Sequence, residues 1–149
     1  MINEKMLGSL VGQMAPLVDD PSKWVGVDDL IEIYLEEFNR FEKTVVHTNP
    51  DLKTKFWRDS LGLIRSRIRG QEKSNIDLLR RKHAAYGGKS LIWCGHLGVV
   101  TRSLDKLARI KNLGNNPGVD NLNESTNDSW SDLFNYAVLG YLLSKGGIT

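Results

Sequence analysis

The sequence predicts an all-α fold, a bundle of about five helices of useful length built as one domain over residues 1–149. Three observations carry that expectation. Apolar residues recur three and four apart in long segments, which is the period of a helix with one buried face. Leu91-Ile92-Trp93 is too short to argue for a strand. The prolines, with Gly70, Gly87-Gly88 and Gly146-Gly147, fall at the ends of the periodic segments, where chain breakers belong. A chain of 149 residues is also long enough to bury a real core.

In chain order, residues 1–15 place Met6, Leu7, Leu10, Val11 and Met14 at helical spacing, a short helix weakened by glycine and ended by Pro16. Residues 19–27 read as a loop with Pro21 and an isolated Trp24. Asp28 opens a strong helix, its early acids suiting the helix dipole, with Leu30, Ile31, Tyr34, Leu35, Phe38 and Phe41 buried. Glu32 and Glu36 stand four apart on the other side and read as a solvated face rather than metal ligands. Thr48 or Asn49 caps the next helix, Pro50 takes its first position, and Leu52, Phe56, Leu61, Ile64 and Ile68 point to the core until Gly70. Arg58, Arg65, Arg67 and Arg69 decorate its remainder, again a solvated face.

Ser74-Asn75 is the expected cap of the following helix, with Leu78, Leu79 and Tyr86 apolar and Gly87-Gly88 as its stop. Residues 88–96 read as an irregular link holding Trp93, Cys94 and His96. A helix over 97–113 then buries Leu97, Val100, Leu104, Leu107 and Ala108, with Asp105 and Arg109 spaced to pair. Residues 115–129 form a long polar loop. The last helix starts about Asp128 and buries Leu133, Phe134, Ala137, Val138, Tyr141 and Leu142, before Gly146-Gly147 ends the fold.

Composition narrows the function classes. Twenty basic and eighteen acidic residues leave a formal charge of +2, which calls for neither nucleic acid nor membrane as partner. No apolar run reaches the ~18 residues of a membrane span, and the N-terminus shows no signal-peptide pattern. Cys94 is the only cysteine, so an internal disulfide is impossible and a reducing, cytoplasmic setting is expected. His47, His83 and His96 are scattered, which argues against a His-built zinc site. Cys94 lies too near His96 in sequence to read as a nucleophile–base pair, since such partners meet through the fold. P-loop, dinucleotide fingerprint and nucleophile-elbow motifs are absent from the sequence.

What remains is a constellation on three helices. Lys82 to Gly87 supplies a lysine and a Tyr-Gly turn, Asp105-Lys106 is followed by Arg109, and Asp128, Asp132 and Asn135 form one stripe ahead of Tyr136. Paired carboxylates on neighbouring turns repel one another, and they suit a hard cation such as Mg²⁺. Lysine and arginine suit phosphate oxygens, and tyrosine beside a turn can stack on a base.

These same blocks, Lys82/Tyr86/Gly87, Asp105/Lys106/Arg109 and Asp128/Asp132/Asn135/Tyr136/Ala137, resemble the nucleotide-modification-associated domain family of phages and bacteria. That family is similar in turn to the all-α MazG-like nucleotide pyrophosphohydrolases. The resemblance covers residues 75–143, and residues 1–70 carry no motif of it. It departs from the pattern at Ala85, where an acid usually precedes Tyr-Gly, and at Arg102 and Asp105, where the enzymes carry paired glutamates.

The resemblance implies cleavage of a nucleoside triphosphate to monophosphate and pyrophosphate with Mg²⁺ or Mn²⁺, in phage or bacterial nucleotide metabolism or DNA modification. It implies Asp105, Asp128 and Asp132 as metal ligands, with Asp132, Asp105 and Lys106 catalytic. Lys82, Tyr86, Arg109, Asn135 and Tyr136 would bind substrate, in a homodimer. Two other readings stand beside it: a module that sequesters a nucleotide without chemistry, and a helical protein-interaction scaffold.

Overall fold

The computed structural model describes residues 1–14, 20–43, 50–68, 70–115 and 126–149. Caps or turns expected at Pro16, Thr48 and Asn49, and the candidate Arg69, lie outside these residues. Among the described residues six α-helices form: α1 (Glu4–Gln13), α2 (Val27–Lys43), α3 (Pro50–Ile64), α4 (Glu72–Tyr86), α5 (Lys89–Asn115) and α6 (Thr126–Ser144). Among the described residues the only β-type pairing is an isolated bridge between Ile2 and Ile148. The fold is all-α, and no described helix is long and apolar enough to cross a membrane.

The α6 helix is the central element. Trp130, Leu133, Phe134, Ala137, Val138, Tyr141 and Leu142 are all buried and form one broad apolar face, while Asp132, Tyr136 and Leu139 on another side are half-buried. It packs chiefly on α5 and α3, with α4 and α1 closing the remainder, while α2 lies against α5. Arg80 of α4 grips the carboxylate of Glu4, at 2.9 and 3.1 Å, and so ties α1 to the bundle.

Close approach of α3 to α6 depends on Gly140. A Cβ at that position would sit 2.2 Å from Trp57 Cε2, well inside contact distance. Trp57, fully buried, fills the space that the missing side chain leaves. This amends the expected face of α3 in its first two turns, while Leu61, Ile64 and Ile68 are buried as expected and Phe56 packs half-buried against the core. The true register runs Thr54, Trp57, Leu61, Ile64 and Ile68, and Leu52 is left exposed. From Trp57 onward the spacing is four, three, four, which keeps one face turned inward, and the large Trp57 ring takes the buried position ahead of Leu61.

Three further expectations are corrected. The α4 helix starts at Glu72, so Asn75 is a buried residue within it rather than a cap. The stretch 89–96 belongs to a helix: α5 begins at Lys89 and kinks at Gly95, where φ is 63° and ψ −158°. Ile92, Trp93 and Cys94 all point outward there, leaving no apolar period to read. Ala108 is exposed, whereas Val99, Ser103 and Ile110 join Val100 and Leu107 inside.

A polar chain crosses the core between α3, α5 and α2. Trp57 Nε1–H donates to His96 Nδ1 at 3.1 Å. That fixes the tautomer, so His96 Nε2–H donates to Glu37 Oε2 at 2.8 Å. Arg40 stands 3.4 Å from the other Glu37 oxygen. Glu37 is only 2% exposed, while its neighbours Glu32 and Glu36 face solvent. With both ring nitrogens so engaged, His96 is a core residue, and Cys94 is exposed apart from it.

Candidate functional site

Where α4, α5 and α6 meet, their side chains leave a cleft of about 390 Å³. Each helix brings one charged residue to a shared point. Lys106 Nζ of α5 lies 2.9 Å from Asp132 Oδ2, and Lys82 Nζ of α4 lies 4.0 Å from Asp132 Oδ1. One carboxylate therefore spaces two ammonium groups, each facing a different oxygen. Lys106 is mostly enclosed and Lys82 more than half exposed, so the first is the wall and the second the rim.

Arg102 lines the cleft one helical turn before Lys106. Among the described residues no carboxylate stands within ion-pair distance of it. Three fixed cations against one carboxylate leave the lining with two net positive charges at neutral pH.

The uncharged lining supplies shape and hydrogen bonds. Asn135, 7% exposed, donates from Nδ2 to the Asn75 carbonyl at 3.1 Å. That bond orients the amide and leaves Oδ1 as an acceptor with no hydrogen-bond partner among the described residues. A ligand N–H or O–H would satisfy it, and a buried acceptor without one is costly. Tyr136 lines the same side, with Leu79, Leu91 and Leu139 as apolar wall. Gly87 takes φ 73°, a left-handed conformation that stops α4 and leaves Tyr86 overhanging the cleft at 84% exposure. Tyr86 is thus not a core residue of α4, because the chain turns away before anything packs over it.

His83 forms part of the wall, and its Nε2 is buried without a hydrogen-bond partner among the described residues. Burial of the ring, with the nearby N-terminal ammonium adding less, holds its pKa below the ordinary 6.5. The unfolded chain then takes up this proton first as pH falls. His83's contribution to stability is complete above about pH 6.5 and is lost as pH drops through the folded-state value. The melting temperature is therefore expected to fall more steeply between pH 7 and 5 in the parent than in His83→Gln. Equal slopes in a thermal-melt series would contradict this.

Six of the nine residues singled out from sequence line this cleft: Lys82, Tyr86, Lys106, Asp132, Asn135 and Tyr136. Asp105, Asp128 and Arg109 do not. Asp105 and Asp128 are exposed, Asp128 one turn ahead of Asp132 on α6. The expected Asp105–Arg109 pair is not formed, since a short solvated aspartate gains too little from an exposed ion pair to be held in place. Among the described residues no three His, Cys, Asp or Glu side chains are grouped so as to hold a metal ion. Arg102, His83 and Ser90 line the cleft without having been singled out as site residues. The available signal was spacing: Arg102 precedes Lys106 by four, and His83 precedes Tyr86 by three.

The basic cluster expected along α3 is distributed among other tasks. Arg65 pairs with Glu72 at 3.3 Å, and the Arg67 guanidinium lies between the rings of Trp24 and Trp130, 5.0 and 4.6 Å from their centres. Arg67 also donates to the Val25 carbonyl, fastening the segment before α2 to the first turns of α6.

Comparison of the chain with protein-family models, with curated proteins and with solved structures finds no match.

Proposed function

We propose that this chain binds a nucleoside phosphate in the α4–α5–α6 cleft and cleaves a nucleoside triphosphate to monophosphate and pyrophosphate in the presence of Mg²⁺ or Mn²⁺. The binding half of the reading is carried by one observation, the convergence of Lys82, Arg102 and Lys106 on a cleft with an unsatisfied amide acceptor in its wall. The cations would take the phosphate oxygens, which charge-assisted hydrogen bonds favour. Asn135 would take a donor of the sugar or base, and Tyr86 and Tyr136 offer ring faces to the base.

The hydrolytic half is supported by the resemblance of the three sequence blocks. Asp105, Asp128 and Asp132 do not fit a three-ligand metal centre by themselves, because Asp132 is engaged by two lysines while the other two face solvent. No step is therefore assigned to a protein-held metal. Homodimerisation and a role in phage or bacterial nucleotide metabolism, in the cytoplasm, belong to the same reading.

Sequestration of a nucleotide without turnover is favoured by that same engagement of Asp132. Asp132→Asn separates the two. If the carboxylate serves turnover, the variant loses pyrophosphate release from a panel of (d)NTPs with Mg²⁺, read by ion-exchange chromatography. If the cleft only binds, removing the negative charge strengthens nucleotide binding and the ligand is recovered intact. Full turnover by Asp132→Asn on every substrate of the parent would contradict the catalytic assignment.

A further inference from the structure

We infer that Arg102, Lys106 and Lys82 form a metal-independent clamp for a phosphate monoester dianion, so that a nucleoside monophosphate binds this cleft without a divalent cation. The inference rests on the nucleotide-binding reading and narrows its ligand class.

Charge is the first argument. Three cations and Asp132 give the lining two net positive charges, which match the two negative charges of a phosphate monoester. A free triphosphate would place excess negative charge beside Asp132. Geometry is the second. Arg102 and Lys106 lie one turn apart on the same side of α5, so a planar two-pronged donor and a point charge face the same space. Lys82 closes that space from α4, and Asp132 keeps the two ammonium groups apart.

The third argument is the make-up of the cleft wall. No three potential metal ligands are grouped among the described residues. Arg102 occupies the cleft wall instead, bringing fixed positive charge without ligands of its own. Asn135 Oδ1, in the same wall, adds a position for a hydrogen-bond donor on the nucleoside.

The test is isothermal titration of the full chain with a nucleoside monophosphate panel, triphosphates, ribose 5-phosphate and inorganic phosphate, in EDTA and again in Mg²⁺. A monophosphate is expected to bind in EDTA at least as tightly as its triphosphate, with little change on adding Mg²⁺. Arg102→Met should weaken that binding about ten- to hundredfold, the loss expected for hydrogen bonds to a charged group, with its thermal melt unchanged. Arg102→Lys, keeping charge but not the fork, should fall between.

Binding of triphosphate only with Mg²⁺, and of no monophosphate in EDTA, would overturn the clamp while leaving the nucleotide reading intact. Equal affinity for ribose 5-phosphate and the monophosphates would support the clamp and remove the nucleotide reading. Unchanged monophosphate binding in Arg102→Met would overturn the role of Arg102.

Discussion

Gly140→Ala is expected to lower stability by about 3 kcal/mol, the upper end of the usual cost of overpacking a core. The added methyl would meet Trp57 ring atoms at 2.2, 2.4 and 2.6 Å. Trp57 cannot easily retreat. Its Nε1 is bonded to His96, and its ring packs edge-on against Tyr34 and Phe56, with centroids 6.1 and 4.8 Å away. Relief must come from separating α3 from α6, which loosens the central packing of the molecule. For a chain of this size the melting temperature should fall by roughly 6–12 °C, read by circular dichroism. Trp57→Phe in the same chain should recover part of the loss, because the smaller ring leaves room for the methyl. A melt of Gly140→Ala matching the parent would contradict the close approach described for these helices.

Lys106→Met should reduce nucleotide affinity about a hundredfold while leaving the fold intact, taking a charged hydrogen bond at the top of its usual range. The variant loses the more enclosed of the two lysines and leaves Asp132 less well neutralised, so that its carboxylate repels an incoming phosphate. Lys106→Arg keeps the charge and should retain affinity within about tenfold. Lys82→Met should cost less than Lys106→Met, because Lys82 is at the rim and 4.0 Å from the carboxylate. Calorimetric titration of the three variants checks the order. Equal losses at both lysines would contradict the division into wall and rim.

Core positions are legible where burial follows one clear stripe, as in α6, whose expected Leu133, Phe134, Ala137, Val138, Tyr141 and Leu142 are all buried; in α2 Leu30 and Tyr34 are buried but Leu35 is exposed. Core positions are obscured where a competing choice is settled only by the partner element. Phe56 and Trp57 are adjacent aromatic residues, and only the gap at Gly140 decides which turns inward. Glu36 and Glu37 are likewise indistinguishable in sequence. His96 arrives from α5 to receive Glu37, and no local pattern announces that meeting. The start of α5 carries no apolar period in sequence, because Ile92, Trp93 and Cys94 are exposed and a kinked glycine follows.

The cleft was legible in a different way. Lys82 and Lys106 are marked by short blocks suited to phosphate and Asp132 by a carboxylate stripe suited to a cation, and the fold brings the three together. Asp105 and Asp128 share those blocks yet face solvent, since helical spacing places a residue on a face without saying which face the bundle encloses. Arg102 is a departure from the family pattern, and its place beside Lys106 follows from their spacing of four on α5, whereas their facing the cleft is set by the neighbouring helices.

The most direct measurement is backbone-amide chemical-shift mapping by NMR while a nucleoside monophosphate is titrated into the labelled protein. The account predicts saturable shifts concentrated at Lys82, Gly87, Arg102, Lys106, Asp132 and Asn135, with the Trp57–His96–Glu37 chain undisturbed. Shifts gathered on another face, or none at millimolar nucleotide, would contradict the assignment of this cleft as a nucleotide site.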